Sequence, residues 1–152
     1  MRSIIIYYSN SGTTRKLADK INKEFPGNMV EVVPKVPYGG YLAAVKRAGM
    51  ERKTHSIAEY TAPQLDLDGV DTIFVGYPIW YSHMPTFLAD YLKHFDFSGK
   101  RVVPFSTSGA GGIKSTLDDV REAVKGAKVQ HPYSASKIYK DNFEEWVKRV
   151  KA

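Results

Sequence analysis

Residues 7–18 read YYSNSGTTRKLA, and the change of character inside this stretch sets the first element of the fold. Upstream, SIIIYY (residues 3–8) is a short apolar run rich in β-branched and aromatic residues, long enough for a buried strand and too short for a helix. Downstream, Leu17, Ile21 and Phe25 recur on one helical face, and Pro26-Gly27 closes the segment. Strand, small polar loop and amphipathic helix together predict the start of a βα unit. The loop admits two readings. Serine and threonine are preferred N-caps in any protein. Equally, the hydroxyls of Ser9, Ser11, Thr13 and Thr14 stand beside Gly12 at a helix N-terminus, where free amides and the helix dipole favour an anion such as a phosphate monoester.

The rest of the chain repeats this alternation. MVEVV (29–33), DTIFVGYP (71–78), RVVPFS (101–106) and AKVQH (127–131) read as strands, with Pro104 expected at a bulge or off the ladder. Phe87, Leu88, Tyr91, Leu92 and Phe95 form one helical stripe, and Ile113, Leu117, Val120 and Val124 form the next. Phe143, Trp146, Val147 and Val150 give the last helix its buried face. Strands alternating with helices predict an α/β fold, with a parallel sheet covered on both faces. Residues 1–152 read as one domain, without internal repeats. The stretch Pro34–Val70 is too long for a simple connection: residues 41–48 look helical, and the remainder lacks a period and is expected to be partly loop.

Ligands of such sheets sit beyond the carboxyl ends of the strands. Three loops lie there: SNSGTT (9–14), PIWYSHMP (78–85) and TSGAGG (107–112). Trp80 in the second loop is either a core lid or a platform for a flat ring. His83 has no acidic or histidine partner in sequence reach, so no metal role is assigned to it. The backbone of the third loop either caps a helix or lies against a heterocycle. The absence of GxxxxGK[ST] excludes a nucleotide-hydrolase loop, and no G-x-G-x-x-G follows the first strand. The chain has no cysteine, which removes disulfides, thiolate metal sites and cysteine nucleophiles.

In order, the three loops resemble those of the flavodoxin-like family that binds flavin mononucleotide (FMN). Ser9, Ser11, Gly12 and Thr14 fall on the family's [ST]-x-[ST]-G-x-T phosphate loop, and GYPIWYSHMP resembles the loop carrying the stacking aromatic. GKRVVPFSTSGAGG (99–112) resembles the segment that wraps the ring edge. The resemblance spans nearly the whole chain and implies a three-layer sandwich with a five-stranded parallel sheet in order 2-1-3-4-5. It implies that Ser9, Asn10, Ser11, Gly12, Thr13 and Thr14 hold the FMN phosphate. Trp80, flanked by Pro78, Ile79, Tyr81 and Ser82, would cover the ring, and Ser106, Thr107, Ser108, Gly109 and Gly112 would bind its polar edge.

Three departures carry their own expectations. Ile113 and Lys114 stand where typical flavodoxins place a second aromatic, leaving one ring face open or covered by Tyr38 or Tyr41. Ser82 replaces a glycine found in many relatives, which implies little stabilisation of the one-electron-reduced flavin. Typical flavodoxins are acidic, whereas this chain carries +6. If Lys46, Arg47, Arg52, Lys53 and Lys114 line the site rim, the flavin is less reducing than in acidic relatives.

At 43% hydrophobic and 25% charged residues the composition is that of an ordinary soluble domain, with no run near the length of a membrane span. Residues 4–8 are too short for a signal-peptide core, and the expected location is the cytoplasm. The lysines are not interleaved with aromatics, so no nucleic-acid partner is expected. The leading reading is an FMN protein passing electrons to a partner protein with an acidic surface. The alternatives are an FMN-dependent NAD(P)H oxidoreductase acting on a small substrate such as a quinone, and a binding module that has lost the flavin.

Overall fold

The computed structural model describes residues 1–136, 138 and 140–152. The chain opens with β1 (Ser3–Tyr7), α1 (Thr13–Glu24), β2 (Gly27–Glu31), β3 (Val33–Pro34) and α2 (Tyr41–Thr54). Then come β4 (Tyr60–Thr61), β5 (Thr72–Pro78), α3 (Thr86–Leu92), β6 (Arg101–Ser108) and, after a 3-10 turn at Ile113–Thr116, α4 (Leu117–Ala123). Two short strands, β7 (Lys128–Val129) and β8 (Tyr133–Ser136), precede α5 (Phe143–Lys151).

The main sheet runs β2-β1-β5-β6-β7, with β8 also pairing to β6 and every pair parallel. This is the expected 2-1-3-4-5 order, with one difference: the fifth position is shared by two pieces. β7 pairs with Arg101–Val102 at the start of β6, and β8 pairs with Phe105–Ser108 at its end. Between them His131 takes a left-handed φ of 50° ahead of Pro132, which interrupts the ladder. Pro104 is not off the ladder, as expected from sequence; it pairs in register with Val75. Its missing N–H costs nothing for a geometric reason. Lys128 and Gln130 donate to the carbonyls of Lys100 and Val102, so even-numbered residues of β6 direct their backbone groups to this side. There Pro104 faces the break between β7 and β8.

The period of two sorts the core into two layers. Ile4, Ile6 and Tyr8 join Ile73, Val75, Tyr77 and Val102 beneath α2, α3 and α4. Ile5 and Tyr7 join Phe74, Val103 and Phe105 beneath α1 and α5. On that second face Trp146 is fully buried beside Phe25, Phe74, Tyr133 and Phe143, and its indole N–H donates to the His131 carbonyl at 2.6 Å. Gly76 is required here, because a Cβ would lie 2.1 Å from the ring of its register partner Phe105.

The long connection is more ordered than its sequence predicts. The helix α2 continues to Thr54, and β3 and β4 form a small antiparallel pair. The apolar period fails because α2 buries only Ala44, Ala48 and Glu51. The Glu51 carboxylate is matched by the Tyr38 hydroxyl at 2.6 Å and by Arg47 at 3.4 Å. No described helix is long and apolar enough to cross a membrane.

Candidate functional site

β1 and β5 are neighbours, and their connections leave in opposite directions across the sheet, so the switch point lies between them. The loops after β1, β5 and β6 therefore meet at one edge, and Thr107 joins them. Its hydroxyl is 2.7 Å from that of Thr14, with both side chains buried, and its carbonyl accepts from the Ile79 amide at 3.0 Å. Tyr8 N–H donates to the Gly76 carbonyl at 3.0 Å, adding a tie at the base of the first two loops.

In the first loop Gly12 holds φ 93° at the N-cap of α1, whose first turn contains no acidic residue. The Ser9 hydroxyl oxygen accepts from the amides of Gly12 (3.1 Å) and Arg15 (3.2 Å), so it already serves as the acceptor at this helix end. The Ser11 and Thr13 hydroxyls pair at 3.1 Å on the exposed side. Asn10 points the other way: its carbonyl oxygen accepts from the Tyr8 hydroxyl, and its amide donates to the Gly39 carbonyl, each at 3.0 Å. Asn10 thus ties the loop to the segment before α2.

In the second loop Trp80 is only 4% exposed and packs against Tyr38 at 5.0 Å and Tyr8 at 5.8 Å, as a core lid does. Tyr81 beside it is 62% exposed. Its ring lies on Gly49 of α2, where a Cβ would approach Cε2 to 2.5 Å. The ring is backed by helix backbone on one side and exposed on the other. Trp80 and His83 exchange backbone hydrogen bonds, each 3.1 Å, around Tyr81 (φ 51°) and Ser82 (φ 63°). This two-residue turn with both central φ positive ordinarily recruits Asn-Gly or Gly-Gly. Each left-handed non-glycine residue costs about 1–2 kcal/mol, so the surrounding contacts must impose the conformation. Pro78 and Ile79 are buried at the base of the loop.

In the third loop Ser106 lies within the sheet, paired on both sides to Tyr77 and Ser134. Ser108 donates to the Gly111 carbonyl, closing the turn. Ile113 N–H donates to the Ser134 hydroxyl at 2.9 Å, and Tyr77 and Thr116 hydroxyls pair at 2.7 Å. A Cβ on Gly109 would sit 3.8 Å from the Tyr41 hydroxyl, so the start of α2 reaches across to this loop. Tyr38, the other candidate to reach over the ring, is instead buried. Its hydroxyl pKa is raised, first by burial and then by the hydrogen bond to Glu51.

Sequence reading missed several contributors. Asp119 of α4 accepts from His83 Nδ1 at 2.8 Å and from the Met84 amide at 3.3 Å. Ser134 belongs to a strand too polar to recognise, and the Thr14–Thr107 and Asn10–Gly39 contacts carry no local signal. A cavity of about 320 Å³ opens behind the second loop, not among the three loops, and is lined by Arg52, His55, Met84, Asp90 and Asp119 among others. No group of three or more metal-ligating side chains occurs among the described residues.

A search of curated proteins returns no match. Solved structures share the fold. A protein of Bacteroides uniformis ATCC 8492 described as a flavoprotein matches with a TM-score of 0.82 at 23% identity, over 99% of this chain and 98% of that one. The flavoprotein of Lactobacillus acidophilus NCFM, solved in complex with FMN, matches with a TM-score of 0.76 at 23% identity over 99% of both chains. Oxidised flavodoxin 2 of Bacillus cereus gives 0.59 at 21% identity, over 98% and 92%. The family model described as flavodoxin matches residues 2–150. Loop order, sheet topology and this match agree: the chain belongs to the flavodoxin family.

Proposed function

We propose that the chain binds FMN where its three loops meet and passes electrons to a partner protein. The observation that carries this reading is the first loop, a helix N-terminus with clustered hydroxyls, a left-handed glycine and no first-turn carboxylate, bonded directly to the third loop. That donor set suits a phosphate monoester which is held and never transferred, so no lysine is needed. Ser9, Ser11, Gly12, Thr13 and Thr14 would hold the phosphate, a phosphate oxygen taking over the acceptor role that the Ser9 hydroxyl fills. Asn10 would brace the loop.

Tyr81 takes the ring-platform role, because its face is open and its back is supported by Gly49. Backbone groups of residues 107–112 would meet the polar edge of the ring, with Tyr41 beside them. The bound flavin supplies the redox chemistry; the protein supplies binding, orientation and charge.

The surface beside this site suits an acidic partner. Leu42 (82% exposed) and Met50 are apolar and exposed, with Lys46 and Lys53 around them. The one acid of α2, Glu51, is buried and already paired. An apolar centre with a lysine rim is the pattern of a docking face.

FMN titration followed by fluorescence quenching tests the reading. Binding is expected, with Tyr81→Ala weakening it while the fold stands. Trp80→Ala is expected to destabilise the fold itself by about 3–5 kcal/mol. A protein that stays colourless and leaves FMN fluorescence unchanged would refute the proposal. Rapid flavin reduction by NAD(P)H alone would move the assignment from carrier to oxidoreductase.

A further inference from the structure

We infer that Asp119 and His83 are positioning residues for the second loop, holding the Tyr81–Ser82 turn in the one conformation that receives the flavin ring; this rests on the FMN reading above. The turn is not chosen by its own residues. Tyr81 and Ser82 both sit at positive φ, a pairing that glycine and asparagine favour and that tyrosine and serine resist. Left to local preference, the segment would leave this geometry and lift the Tyr81 ring from Gly49.

A single carboxylate closes the far end of the turn. Asp119 Oδ2 takes His83 Nδ1 at 2.8 Å and the Met84 amide at 3.3 Å, while Oδ1 lies 3.7 Å from Arg52 Nη2. Loop, α4 and α2 are thereby pinned at one point directly after Ser82. The side chains of Asp119 and His83 are 18% and 36% exposed, so the contacts are partly sheltered and not a loose surface pair.

The consequence is a population effect. Only molecules with the turn formed present the platform, and apparent affinity falls in proportion to the fraction that has it. Loss of the anchor should therefore weaken FMN binding with little effect on the core, and a residue that accepts positive φ should make the anchor dispensable.

The test measures the FMN dissociation constant by fluorescence quenching, and apoprotein melting, for wild type, Asp119→Ala, His83→Ala, His83→Asn, Ser82→Gly and Ser82→Gly/Asp119→Ala. Losing a charge-assisted hydrogen bond should raise the dissociation constant about tenfold in Asp119→Ala and His83→Ala. His83→Asn, whose side-chain amide can still donate to Asp119, should recover most of the loss. In the Ser82→Gly background, Asp119→Ala should cost less than about threefold. Wild-type affinity in Asp119→Ala would overturn the inference. So would an equal loss with and without Ser82→Gly, which would make Asp119 a general support of the fold. If wild type itself fails to bind FMN, the cofactor reading fails first; binding by wild type with indifferent variants defeats only the anchor.

Discussion

Thr14 and Thr107 offer the sharpest test of how the loops are joined. Their hydroxyls meet at 2.7 Å across 93 residues of sequence, with 2% and 6% of each residue exposed. Valine keeps the shape of threonine and replaces the hydroxyl by a methyl, so cavity effects are small. Each single valine variant leaves the other hydroxyl buried without a partner, at a cost of about 1–3 kcal/mol. At roughly 2–4 °C per kcal/mol for a domain of this size, Tm should fall by about 2–12 °C. The double variant removes both groups and should lie within about 1 kcal/mol of wild type. Thermal and urea unfolding of the four apoproteins give the coupling directly. Two singles that melt like wild type, or a double as unstable as their sum, would refute the link. FMN affinity that stays low in the double variant would report a direct contact of Thr14 with the phosphate.

Gly49→Ala should separate stability from binding. It gains up to about 1 kcal/mol of helix propensity in α2, yet its Cβ displaces the Tyr81 ring, so apoprotein Tm should hold or rise while FMN binding weakens. His131 has its pKa lowered from 6.5, first by burial and then by Arg101 and Arg149. Its neutral form is favoured in the fold, so its contribution is present above pH 6.5 and is lost as pH falls through the lower folded value. His131→Asn, which also suits the left-handed φ, should flatten that part of a stability–pH curve. For the docking face, Lys46→Glu/Lys53→Glu should slow oxidation of the reduced holoprotein by ferricyanide several-fold, on the order of what surface steering supplies, and speed oxidation by hexaammineruthenium(III). Both effects should fade at high salt, where screening sets in over about 3 Å at 1 M.

Much of the fold is legible because burial leaves a periodic trace. Ile4–Ile6, Ile73–Val75 and Val102–Val103 are continuous apolar runs, since a parallel strand covered on both faces has no polar side. YSAS in β8 leaves no such trace, and β7 is only Lys128–Val129, cut short ahead of the left-handed His131 and Pro132. α2 is half hidden for a related reason: its buried side is two alanines and a glutamate that accepts from the Tyr38 hydroxyl and pairs with Arg47.

The site divides in the same way. The hydroxyl–glycine loop, the polar loops at the strand ends and the order 2-1-3-4-5 follow from residue type and alternation, which act along the chain and can be read along it. Which of two adjacent aromatics faces outward cannot be read so, because it depends on a backbone turn that Tyr81 and Ser82 would not adopt alone. Only the tertiary structure, by bringing Gly49, Asp119 and His83 around that turn, buries Trp80 and leaves Tyr81 open. The same holds for Thr14 and Thr107, whose hydroxyls become partners only because β1, β5 and β6 run parallel and end at one edge.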